Sequence, residues 1–180
     1  MLYHSTRSCA LPVDSAFAVL QGLAPDGGLY MPQALPAFDA KACLEGDFYA
    51  MATALLGAFL PDIPHMEDLV RKAYTGKFAA PDLTPTVAVG DFSVLELFHG
   101  PTSAFKDVAL SMLPQLLTAA KAEKQMAEDI LILTATSGDT GKAALEGFKD
   151  VPASRSACST PTGASARCSR PRWSPRKATM

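Results

Sequence analysis

The stretch DILILTATSGDTGKAALEGFK, residues 129–149, constrains the fold more than any other part of the chain. Its run of branched aliphatic residues, ILIL, is the longest of that kind in the sequence and has strand length, far short of a membrane span. Unbroken rather than alternating, it predicts a strand of the buried type. A loop of small residues, Ser137 to Gly141, then leads into a helical run. Strand, loop and helix in that order form half of a βαβ unit, and such units build parallel sheets.

The residues before it agree with a layered α/β chain. TPTVAVGDFSVLELFHG (84–100) alternates on either side of Gly90-Asp91, which predicts a hairpin or two short strands. PTSAFKDVALSMLPQLLTAAKAEKQ (101–125) predicts a long helix that starts at Pro101 or Thr102 and is kinked at Pro114. Up to Leu83 the pattern is mostly helical. DSAFAVLQGL predicts a helix capped by Asp14 or Ser15 and ended by Gly22, its apolar positions Phe17, Leu20 and Leu23 recurring at helical spacing. PDGGLYMP is a tight turn, DFYAMATALLGAFL a helix apolar enough to be buried, and HMEDLVRKAYTGK a third helix with Met66, Leu69, Val70 and Ala73 facing inward.

Composition excludes several function classes. The 180 residues are 48% hydrophobic and 19% charged with a formal net charge of -2, so nothing suggests a nucleic-acid partner. Cys9, Cys43, Cys158 and Cys168 lack C-x-x-C spacing and read as free thiols, with no metal site. MLYHSTRS is no secretory signal, which predicts a cytoplasmic protein without a membrane partner. The average hides a break. All eighteen acidic residues and ten of the sixteen basic ones precede Ala153, whereas the tail has six basic residues, no acid, and no Leu, Ile, Val or Phe. Such a segment buries too little apolar surface to offset its ordering entropy, which predicts disorder or weak docking.

Two sites could carry chemistry. The loop Ser137, Gly138, Asp139, Thr140 opens a helix, so free N–H groups, hydroxyls and the positive helix end meet at one spot that suits a carboxylate or phosphate. It is not a Walker loop, since Lys142 directly follows Gly141 without the required spacing. A well-capped helix after a tight turn is the plainer reading. The second site is HGPTSAFKD (99–107). Lys106 is either a solvated helix residue or a reactive amine desolvated by Ala104, Phe105, Val108, Ala109 and Leu110. His99 reads as a ligand, a base or a structural hydrogen-bonding residue; His4 and His65 have no chemical neighbour, and Asp107 reads as a cap.

ELFHGPTSAFKD and TATSGDTG, with STR (5–7) and LQGLAPDGGLYMP (20–32), resemble threonine synthase in order and spacing over residues 1 to about 152. The resemblance implies the tryptophan-synthase-β-like (fold type II) α/β fold of pyridoxal-phosphate enzymes. It would be present here in truncated form, a helical N-terminal region followed by the start of a parallel βα layer. It divides the chain into an N-terminal region (1–83), an incomplete cofactor domain (84–152) and the tail (153–180). It makes Lys106 the catalytic, cofactor-holding lysine and Ser137, Gly138, Asp139 and Thr140 the substrate loop, with Asp139 beside the pyridoxal 5'-phosphate ring. Asp139 stands where many relatives of this fold have Asn, so its carboxylate is expected to turn toward backbone donors or to be protonated. The implied reaction converts O-phosphohomoserine and water to threonine and phosphate, but the truncated chain, lacking the loop that holds the cofactor phosphate, is expected to be inactive. A related phospho-lyase-like protein of the same fold and a non-catalytic fragment remain alternatives.

In that family the chain after EGFKDVP continues into FYP-GGVS and QMVTQEGD segments. The codons CAG ATG GTC ACC CAG GAA GGC GAC encode QMVTQEGD, and one base later they read RWSPRKAT, residues 172–179. STPTGASARCS, residues 159–169, is likewise a shifted reading of FYPYGGVSEVQ. The tail from about Ala153 is therefore expected to be a frameshift product.

Overall fold

A computed structural model describes residues 1–7, 9–136, 138–152 and 154–159. The first region pairs a small sheet with a helical layer. Strands β1 (Leu2–Ser5), β2 (Val13–Asp14) and β3 (Tyr30–Pro32) form an antiparallel sheet in the order β2-β1-β3. Helices α1 (Ser15–Gln21), α2 (Ala40–Glu45), α3 (Phe48–Phe59) and α4 (Met66–Tyr74) make up the helical part, and α1 packs on β1 and β2. The expected mostly helical region thus also contains three strands. They are two to four residues long, too short to display an alternating pattern, and long-range contacts hold them: the Tyr3 hydroxyl donates to the Phe59 carbonyl at 2.6 Å.

Asp14 caps α1, accepting from Phe17 N at 2.8 Å, and Gly22 ends it at φ 70°. Of its spaced apolar residues Leu20 packs, partly buried, against the core. Ser15, Ala16 and Ala18 are buried, while Phe17 and Leu23 are 39% and 56% exposed. The helix packs on α5 (Asp107–Glu123), and its small residues permit the close approach that a row of Phe and Leu would block. Helix α3, expected to be buried, has no fully buried residue: it touches α4 and α2, and its Phe48, Tyr49, Ala52 and Leu56 are only partly buried against the core. Helix α4 does turn Met66, Val70 and Ala73 inward, with Leu69 partly covered. They join Ala16, Ile63, Tyr74, Leu83, Met112 and Ala120 in the main core, between α1, α4 and α5.

The second region starts with the expected hairpin, β4 (Thr86–Val89) and β5 (Phe92–Leu95), paired Val89 with Phe92. Gly90, at φ 60°, opens its two-residue turn. Helix α5 begins five residues later than Thr102, and Pro114 sits buried within it. Residues 100–106 are held in turns instead, closed by Ser103 N donating to Gly100 O and Asp107 N to Ala104 O. Strand β6 (Ile130–Ala135), helix α6 (Asp139–Gly147) and strand β7 (Ser154–Ser159) complete a parallel βαβ unit, with Ile130 opposite Ser154 and Ala135 opposite Ser159.

Two expectations change here. Strand β6 is not covered on both faces: Leu131 and Leu133 are 57% and 73% exposed, because among the described residues β7 is its one pairing strand and no layer covers its other face. The expectation of disorder from Ala153 onward fails for Ser154–Ser159. A ladder is built from backbone N–H and C=O groups, so Ser, Arg, Ala and Cys can fill the free edge of β6 without contributing a hydrophobic face. Ala153 and residues 160–180, including Cys168 and most of the frameshift segment, lie outside the described residues.

Candidate functional site

Gly100 starts the loop that carries Lys106. A Cβ built on Gly100 would lie 2.5 Å from the Asp107 carboxylate, so only glycine lets that side chain fold back over the loop. Asp107 is 2% exposed and accepts from Thr102 N at 2.7 Å and from Thr102 Oγ1 at 2.6 Å. Its position in the first turn of α5 also sets its negative charge against the positive end of the helix. Asp107 is therefore neither an ion-pair partner of Lys106 nor a simple cap. It is a clamp on the loop.

Lys106 occupies the N-cap position of α5, and its Nζ lies 4.1 Å from the centroid of the Phe105 ring. No carboxylate lies within ion-pair distance of it among the described residues. The expected apolar enclosure is incomplete: Ala104 is buried, but Phe105 is 61% exposed and Ala109 is exposed. The side chain is half-buried, meets no carboxylate among the described residues and rests on an aromatic ring. A lysine without an ion-pair partner fits covalent attachment of an aldehyde cofactor, which takes the neutral form of the amine.

The small-residue loop follows β6. Gly138 N donates to Thr136 Oγ1 at 3.1 Å, and Gly138, Asp139 and Thr140 are exposed at the start of α6. The Asp139 carboxylate meets no donor among the described residues. Ser137 lies outside them. A link that the sequence reading missed ties the two motifs together: Lys142 Nζ donates to the Thr102 carbonyl at 2.5 Å. The sequence held no signal for it beyond a lysine in the first turn of a helix, where a cation is disfavoured.

The other two motifs meet away from this loop. Ser5 Oγ donates to Asp26 Oδ1 at 2.6 Å, Gly28 N to the same oxygen at 2.9 Å, and Arg7 Nη1 to the Asp26 carbonyl at 3.1 Å. The Ser5 bond first, then the Gly28 bond, hold the Asp26 carboxyl below its ordinary range. A Cβ on Gly28 would fall 2.1 Å from Ser5 Oγ, so the glycine lets the turn close on β1. His99 is structural in its contacts, with Nε2 at 2.7 Å from Glu96 Oε2 and its ring against Phe98. An open cavity of about 700 Å³ lies between α4, α5 and α6, lined by Lys77, Asp107, Ser111 and Glu146 among others, but neither Lys106 nor residues 138–140 line it.

Comparison with known proteins finds threonine synthases. A family profile for the N terminus of threonine synthase matches residues 2–74. Threonine synthase of Saccharomyces cerevisiae is 38% identical over 170 residues, covering 82% of this chain and 32% of its own. That of Escherichia coli is 41% identical over 146 residues, covering 78% and 32%. The structure of pyridoxal-phosphate-bound threonine synthase from Brucella melitensis superposes with a TM-score of 0.82 at 40% identity, over 91% of this chain and 36% of that one. The yeast enzyme gives a TM-score of 0.77 at 34% identity. The chain spans about a third of the length of the curated relatives it matches.

Proposed function

We propose, on the premise that the sequence and fold of this chain are those of the N-terminal third of the threonine synthases, that it supplies the cofactor lysine and substrate loop of a pyridoxal-phosphate-dependent carbon–oxygen lyase. The whole reaction would convert O-phosphohomoserine and water to threonine and phosphate, in the cytoplasm. One observation carries the reading. An amine committed to no carboxylate sits on a loop that α6 holds directly, through Lys142, so Lys106 and the small-residue loop belong to one local assembly.

Lys106 Nζ would hold the cofactor and afterwards move protons on the bound amino acid. Ser137, Gly138, Asp139 and Thr140, with the first N–H groups of α6, would bind the substrate carboxylate; the exposure of residues 138–140 at that helix start supports this. Pyridoxal phosphate, when bound, supplies the electron sink that lets phosphate leave and water add. Asp139 would tune the cofactor from beside its ring.

A second reading, a non-catalytic chain, has its own support. Leu131 and Leu133 stand bare on β6, and the tail reads as a shifted frame of a continuing segment. Resequencing the DNA across the codons for Phe148 to Thr160 tests the frameshift, and an uninterrupted frame there would refute it. The site itself is tested by adding pyridoxal phosphate to the purified chain, reducing with borohydride and mapping the modified lysine by mass spectrometry. Selective labelling of Lys106, lost in Lys106→Ala, is expected. Label spread evenly over exposed lysines would overturn the assignment.

A further inference from the structure

We infer that Lys142 is a positioning residue that locks the loop bearing Lys106 to helix α6, with Thr102 as the point of attachment. Thr102 is 5% exposed, and each of its hydrogen-bonding groups is engaged. Its N–H and its hydroxyl go to Asp107, at 2.7 and 2.6 Å, and its carbonyl accepts from Lys142 Nζ at 2.5 Å. Two of these bonds come from the helix that follows the loop. The third comes from a different element, 40 positions along the chain.

Two further observations give the third bond a purpose. Ser103, next to Thr102, sits at φ 59°, a left-handed conformation that a side-chain-bearing residue keeps only where its surroundings impose it. Lys142 itself lies in the first turn of α6, at the positive end of the helix, where a cation is disfavoured unless something local compensates. The Thr102 carbonyl is that compensation. The other end of α6 is also fixed against α5, since a Cβ on Gly147 would fall 2.1 Å from the Leu110 carbonyl oxygen. With α6 anchored at both ends, the loop that opens it and the loop that carries Lys106 move as one body. A ligand that shifts residues 138–140 would shift Lys106 with them.

The lock is a property of the folded chain, and its role in catalysis rests on the function proposed above. The test compares the full-length wild-type chain with Lys142→Met and Lys142→Arg by amide hydrogen exchange. Amides of Ser103 to Asp107 report the loop, and those of Val70 to Tyr74 in α4 serve as the internal reference. Lys142→Met should speed exchange in the loop by about tenfold, the loss of one charge-assisted hydrogen bond, and leave α4 unchanged. Lys142→Arg, which keeps a cationic donor, should stay within about threefold of wild type. An unchanged loop in Lys142→Met, an equal gain in α4, or an arginine variant as loose as the methionine one would each overturn the inference. Borohydride-trapped labelling by pyridoxal phosphate, run in parallel, should slow at Lys106 in Lys142→Met. A loosened loop together with a wild-type Lys106 that takes no label would uphold the lock and sink the proposed function instead.

Discussion

Ser15 and Asp62 bind each other in both directions across 47 positions: Ser15 N and Oγ donate to Asp62 Oδ2 at 3.1 and 2.7 Å, and Asp62 N donates to Ser15 Oγ at 3.3 Å. Ser15 is fully buried at the start of α1, and the N-terminal ammonium approaches the same carboxylate oxygen at 3.5 Å. One acidic residue thus joins the chain start, the first helix and the corner between α3 and α4.

Asp62→Ala should therefore lower stability at neutral pH by about 1–2 kcal/mol, the range for charge-assisted hydrogen bonds at a partly exposed group. The Ser15 hydroxyl is the main cause of the Asp62 carboxyl titrating below its ordinary 3.8. A depressed carboxyl stabilises the fold above its unfolded value and loses that contribution as the pH falls through its folded value. Urea unfolding at neutral and acidic pH should show the gap between wild type and variant closing on the acid side.

Two glycines in helices should respond oppositely to alanine. A Cβ on Gly57 in α3 meets nothing within 4 Å, so Gly57→Ala should stabilise by about 0.5–1 kcal/mol through helix propensity. Gly147→Ala would drive a methyl group into the Leu110 carbonyl, 2.1 Å away, and should cost about 1–3 kcal/mol as α6 is pushed off α5. Thermal unfolding of the two variants checks both signs.

Tyr74 predicts alkaline behaviour. Burial pushes its phenol up to about 12, and its hydroxyl donates to the Val108 carbonyl at 2.9 Å. A raised value means that the protonated form favours the fold. That stabilisation is complete below the ordinary 10.0 and is lost as the pH rises toward about 12. Tyr74→Phe should cost about 1 kcal/mol at neutral pH and flatten the alkaline loss of stability, followed by denaturant titration across that window.

On β6, Leu133→Lys should change stability by less than about 0.5 kcal/mol and raise solubility, because the side chain it replaces is 73% exposed. A large loss of stability would show that this face is covered in solution. Sedimentation of the two proteins across a concentration series would show at the same time whether the exposed leucines cause self-association.

Local order was legible wherever one segment carried its own signal. The capped ends of α1, the inward face of α4, the Gly90-Asp91 hairpin turn and the β6–α6 succession all rest on contacts within a few residues or on a period of the sequence. Lys106 and residues 137–140 were legible as motifs for the same reason. Strands β1 to β3 were not, since two to four residues cannot display a period and their partners lie far along the chain. Nor was the start of α5. Helical propensity allowed Thr102, but Asp107 captures Thr102 from the next turn and holds the intervening residues out of the helix.

The sequence by itself determined helices α1, α3 and α4, the β4–β5 hairpin and the β6–α6 succession, and it marked Lys106 and residues 137–140 as motifs. Those properties follow from periodicity, capping and turn residues, all of which act over short stretches. Only the tertiary structure decided that Asp107 serves Thr102 rather than Lys106, that Lys142 reaches back across 40 positions to the same residue, and that Ser154–Ser159 fills the edge of β6. Each engages a backbone N–H or C=O, a group that nearly every residue offers. Its partner is therefore chosen by how the helices pack, and not by any pattern along the chain.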